Sequence, residues 1–82
     1  MQRKPVNSSN IRSIGYDGDT MTLEVEFANN SVYQYFKVPS VAYRKLMSAE
    51  SHGSALDELV KKPGYRYKQV RQALSASLLS SW

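Results

Sequence analysis

"TMTLEVEFANNSVYQYFKVP", residues 20–39, decides the fold. In its first half Met21, Leu23, Val25 and Phe27 alternate with Thr22, Glu24 and Glu26, the period of two expected of a strand with one buried face. Asn29-Asn30-Ser31 follows, and asparagine enters the left-handed region more readily than other non-glycine residues, so a hairpin connection is expected. The next run puts Tyr33, Tyr35 and Lys37 on one face and Val32, Gln34, Phe36 and Val38 on the other. Alternation alone leaves either face free to be the inner one. Pro39 ends the ladder because it has no N–H to donate, and its fixed φ suits the start of a helix.

Before this stretch, Ile11 to Tyr16 is short and mixed, and Asp17-Gly18-Asp19 gathers residues that tolerate tight-turn dihedrals, which predicts a strand and then a turn. After it, Ala42, Tyr43, Leu46, Met47 and Ala49 fall at helical spacing with Ser40, Arg44, Lys45 and Ser48 opposite, an amphipathic helix. Residues 50–54 interrupt it. Ser54 with Asp57 three positions on resembles a capping box for a second short helix, which Pro63-Gly64 terminates. Residues 65–70 alternate over too few positions to choose between a further strand and an extended tail. Val70, Leu74, Leu78 and Trp82, spaced by four, form a narrow apolar stripe if that segment is helical.

The chain of 82 residues has room for one compact unit, because two would each be too small to bury a core. An apolar fraction of 41% with a modest net charge excludes wholesale disorder. At this length the folded state is worth about 4 to 12 kcal/mol, so exposing several rings for function is expensive. Without cysteine there is neither a disulfide framework nor a thiolate zinc site, which fits a cytoplasmic chain. The basic start lacks an apolar run behind it, and no long apolar run occurs elsewhere, so neither a signal peptide nor a membrane span is expected. The net charge of +4 is uneven, and its excess sits from Lys37 onward.

The order of residues resembles the KTSC domain, a small family named for its place at the C-terminus of some lysyl-tRNA synthetases and found also in stand-alone bacterial and phage proteins. The matching positions are Ser8, Ser9, Gly15, Tyr16, Leu23, Val25, Phe27, Tyr33, Tyr35, Val38, Pro39, Ser51 and Gly53. The chain departs from the pattern at Asn30-Ser31, where the family has glycine, and at Ser54-Ala55-Leu56, where it has an aromatic residue. The resemblance covers residues 6–70, leaving 71–82 as a C-terminal amphipathic tail. It implies a small α+β fold and an accessory, non-catalytic role near tRNA.

The residues themselves support little catalysis. His52 is the only histidine, and "SHGS" at a helix break reads as a turn. The serines lack an orienting base. Glu24 and Glu26 would project from one side, as an acid or cation pair does, but on a half-buried strand alternating glutamates belong to the solvated face. No phosphate loop or metal-ligand spacing occurs, and neither metal nor small-molecule cofactor is expected.

Two binding readings remain. Lys61, Lys62, Arg66, Lys68 and Arg71 interleave with Tyr65 and Tyr67, the combination of cations and flat rings that RNA or tRNA requires. In the alternative, Leu74, Leu78 and Trp82 dock to a protein partner or a second copy. The bland readings are that Tyr65 and Tyr67 close the core edge and that the tail folds back on the sheet. The expected architecture is α+β: a three-stranded antiparallel β-meander, two short helices on one face, and a basic C-terminal segment adding a strand or helix. Tyr33 and Tyr35 are assigned to the core.

Overall fold

The computed structural model describes residues 2–71. Five strands, β1 (Arg3–Pro5), β2 (Ile11–Asp17), β3 (Thr22–Phe27), β4 (Val32–Tyr35) and β5 (Tyr67–Arg71), form one antiparallel sheet in chain order. The class is α+β, and the sheet has five strands where the sequence predicts three. β1 is only three residues long and ends in proline, too short for any period to show. The segment left open between strand and tail becomes β5, because its backbone completes the free edge of β4, with Tyr67 opposite Tyr35 and Lys68 opposite Gln34.

Two departures from regular backbone explain where the sequence pattern is imperfect. The register of β2 against β3 shifts between Ile11 and Ser13, so the extra residue lets both Ile11 and Ile14 face the core although they are three apart. Met21, expected at the head of the alternating face, lies instead in the preceding turn at φ 57°, 39% exposed. Asn30 does what its type predicts and turns the β3–β4 hairpin at φ 73°.

A third left-handed residue, Lys37 at φ 58°, resolves the ambiguity of the β4 strand. It reverses the alternation, so that Tyr35 and Val38, an odd number of positions apart, both enter the core. Pro39 then caps α1 (Ser40–Ser48), which buries Ala42 and Leu46. The second helix, α2 (His52–Leu56), starts earlier than the sequence pattern suggests. Its cap is Ser51, whose hydroxyl accepts from the Ser54 N–H at 3.3 Å, and Ser54 lies inside the first turn. His52 is therefore the first helical residue and not a turn residue. From Asp57 to Lys61 the helix widens into a π-turn, closed by the Lys62 N–H donating to the Asp57 carbonyl at 2.8 Å.

The helices cover one face of the sheet. Ile11, Ile14, Leu23, Val25 and Val38 from the sheet side meet Leu46, Leu56 and Val60, each at most 1% exposed. Full burial of such a side chain contributes about 1.5–3 kcal/mol, which is how so small a sheet holds its helices. Tyr16 and Tyr43 stack at 4.8 Å between β2 and α1, and the Tyr16 hydroxyl donates to the Val38 carbonyl at 2.5 Å. That pair ties the first helix to β2, three strands away from β5. No helix among the described residues is long and apolar enough to cross a membrane.

Candidate functional site

At the β5 end, the helix-covered face is not filled. The π-turn leaves a cavity of about 750 Å³ between itself and strands β3, β4 and β5. Its floor is aromatic. Tyr33 and Tyr35 lie two apart on β4, so their rings share a face, 6.5 Å between centroids. Tyr67, opposite Tyr35 in the ladder, leans over both at 5.9 and 5.8 Å, and Phe27 meets Tyr33 edge-on at 5.6 Å. Tyr65 closes one side, Asn10, Asn29 and Ser31 the other, and Lys61 stands at the lip with Nζ 5.4 Å from the Phe27 ring centre. No carboxylate lines the cavity.

The wall is graded from structural to accessible. Tyr35 is 5% exposed, and burial, together with the neighbouring Tyr33 and Tyr67 hydroxyls, pushes its pKa up to about 12. Tyr33 and Tyr65 are half-buried, while Tyr67 is 63% exposed. The Tyr67 ring thus meets Tyr33 and Tyr35 while most of its surface stays in solvent. Gly64, at φ 82°, makes the turn that brings Tyr65 back to the cavity from the end of the helix.

Of the residues singled out for nucleic-acid binding, the structure gathers Lys61, Tyr65 and Tyr67 at this cavity. Lys62 faces solvent one position on and donates to Glu58 at 2.7 Å, a contact that raises its pKa. Arg66 is exposed, its carbonyl accepting from the Phe36 N–H. Lys68 and Arg71 project from the opposite face, beside Gln34 and Val32. The basic segment is thus divided by the sheet. The sequence reading missed Phe27, Tyr33 and Tyr35 as lining residues because strand alternation assigned them to the core, and part of each ring is indeed packed there. The signal that was available was number: two strands and the post-helix segment all offer rings to one face.

The open face of the sheet overturns the expectation for the glutamates. Glu24 is only 8% exposed, and it is held by Arg3, as an ion pair, and by the Gln34 amide at 2.8 Å. Glu26 accepts from the Ser13 hydroxyl at 3.0 Å and pairs with Arg71, while Arg3 also donates to Ser13. Burial alone would raise the Glu26 pKa, but the hydrogen bonds from Ser13 and Arg71 and the charge of Arg3 outweigh it and leave the group below its ordinary value. These carboxylates are not solvated because β1, which the sequence pattern does not show, and β5, which it leaves open, bring Arg3 and Arg71 onto their face. Every carboxylate here has a cationic partner, so the cluster is a clamp on the sheet.

His52 is half-buried with Nδ1 shielded and unpartnered among the described residues. The serines of "SSN" take turn roles, Ser8 Oγ accepting from the Asn10 N–H. Leu74, Leu78 and Trp82 lie outside the described residues. Among the described residues, no group of three His, Cys, Asp or Glu side chains stands where it would hold a metal ion.

The comparisons with known proteins agree with one another. A solved KTSC domain protein from Yersinia pestis superposes with a TM-score of 0.79 at 42% identity, covering 84% of this chain and 96% of its own. A protein of Stutzerimonas stutzeri is 37% identical over 70 residues, 85% of this chain and 99% of the relative. A lysine–tRNA ligase of Trichormus variabilis is 37% identical over 60 residues, 73% of this chain but only 10% of the ligase. The KTSC domain family model matches residues 7–65, and the chain belongs to that family.

Proposed function

We propose that the protein is a non-catalytic accessory domain of the cytoplasm that binds RNA, tRNA first, through Lys61, Tyr65 and Tyr67, with Lys62, Arg66, Lys68 and Arg71 contributing longer-range attraction. One observation carries the reading: a cation and several accessible rings converge on one cavity whose lining holds no carboxylate. Phosphates need the cation and unstacked bases need the rings. The ligase relatives, in which a similar segment occupies a tenth of a tRNA-handling enzyme, are consistent with it.

The test is titration of labelled tRNA and single-stranded RNA at two salt concentrations, with wild type and a Lys61/Lys62/Arg66/Lys68→Ala variant. All four side chains are exposed, so the variant is expected to fold. Binding that weakens with salt in the wild type, and falls in the variant with a shallower salt slope, supports the reading. Absence of binding at low salt, or equal affinity in the variant, ends it.

A further inference from the structure

From the cavity's shape and lining we infer that it is a single-nucleotide site: one unpaired nucleobase enters the aromatic cavity and its phosphate meets Lys61. This rests on the RNA reading for its ligand class, and goes beyond it in saying that the domain recognises one extruded or terminal nucleotide, not the backbone of a duplex.

Three features carry it. The volume of about 750 Å³ lies within the range of roughly 300–1,000 Å³ common to small-molecule sites. Tyr33 and Tyr35 lie nearly parallel, 23° apart, and Tyr67 tilts against them at 47° and 41°, so its ring, 63% exposed, stands as a wall against which a planar group can lie. The polar lining is a neutral amide set with one cation. Asn29 Oδ1 is held by the Ser31 N–H at 3.0 Å and the Ser31 hydroxyl at 2.6 Å, which fixes the plane of that carboxamide at the mouth, and Asn10 adds a second amide. With Oδ1 engaged by Ser31, Asn29 has its amide N–H groups to donate to a base edge, and the Asn10 carboxamide offers a donor and an acceptor.

Lys61 supplies the remaining complement. Its ammonium is 3.7 Å from Asp57 Oδ1, an exposed contact that costs little to exchange, and it already lies over Phe27 at the lip. A flat group with an anion attached at its edge satisfies the cavity. A proline-rich peptide, the other ligand that tyrosine-lined grooves accept, brings no anion to Lys61.

The experiment is heteronuclear NMR on the whole chain with adenosine 5′-monophosphate, adenosine, inorganic phosphate and a proline-rich peptide as probes, repeated with Tyr67→Ala and Lys61→Ala. The expected result is saturable shifts from the monophosphate at the amides of Ala28, Ser31, Gly64 and Tyr65. Adenosine should bind more weakly, and Tyr67→Ala should weaken the monophosphate about tenfold, the usual loss of one stacking ring. An unchanged spectrum away from the cavity certifies the fold of each variant. No shift at the cavity under excess monophosphate, equal shifts from inorganic phosphate alone, or preferential saturation by the peptide overturns the inference. If RNA still binds in a salt-dependent way in the first two cases, the RNA reading survives without the nucleotide slot. If the monophosphate binds and no RNA does, the slot stands and the RNA reading falls.

Discussion

Arg3 on β1 forms an ion pair with Glu24 on β3, two strands away, by crossing directly over Gly15. Arg3, Gly15, Glu24 and Gln34 are consecutive partners across four strands, and the glycine is the only one without a side chain to stand in the way. A methyl group there would lie 2.6 Å from the Gln2 carbonyl oxygen and 2.9 Å from Arg3 Cγ. Gly15→Ala is therefore expected to push β1 off the sheet and cost about 1–3 kcal/mol, the usual range for overpacking. Denaturant unfolding measures it, and a midpoint equal to wild type contradicts this account of the crossing.

Glu26 gives the sheet a sensitivity to acid. Its folded-state pKa is below the ordinary 4.5, so its contribution is complete above that value and is lost as pH falls through the lower, folded one. Glu26→Gln removes the titrating group, so the variant should be less stable than wild type at neutral pH and lose less on acidification. Stability curves measured from pH 7 downward that run parallel in the two proteins refute the assignment.

Tyr35 acts at the other end of the scale. With a folded pKa of about 12 against 10.0 in the unfolded chain, the neutral hydroxyl is favoured by folding, and that contribution is present below pH 10 and lost as pH rises through 12. Ultraviolet titration should resolve one tyrosine ionising late, in step with unfolding, and Tyr35→Phe should abolish that component. If all tyrosines ionise together while the protein stays folded, the ring is not buried as described.

The cavity wall separates stability from binding. Tyr35→Ala removes a ring that is 5% exposed and should cost about 3–5 kcal/mol, a large part of what a domain of this size possesses. Tyr67→Ala removes one that is 63% exposed and should shift the thermal midpoint little. Equal destabilisation by both means that Tyr67 is a core residue, and the case for an accessible slot weakens accordingly.

These distinctions mark how far the sequence is legible. The alternation of Leu23, Val25 and Phe27, the asparagine turn and the helix after Pro39 follow from local propensity, and the fold bears each of them out. The edge strands do not follow, because a strand of three or five residues is defined by the backbone it pairs with and not by its own pattern. The place of the glutamates is hidden for the same reason: their environment is set by Arg3 and Arg71, which reach them only when those edges form. Lys61, Tyr65 and Tyr67 were visible as a motif, yet their convergence with Tyr33 and Phe27 depends on the π-turn and on the left-handed Gly64, neither of which leaves a periodic trace.

The pairing of β5 with β4 has a kinetic consequence. β1 to β4 join through short connections, whereas α1, α2 and the π-turn lie in the chain between Tyr35 and its partner Tyr67. All five residues of β5 are exposed, so its amides should exchange with solvent faster than those of β3, and its closure should be the last and least costly to reverse. The slot is complete only while that strand is shut. Any occupant therefore acts as a latch, and its presence should be read first as slowed hydrogen exchange along residues 67–71, before any change in the melting of the whole domain.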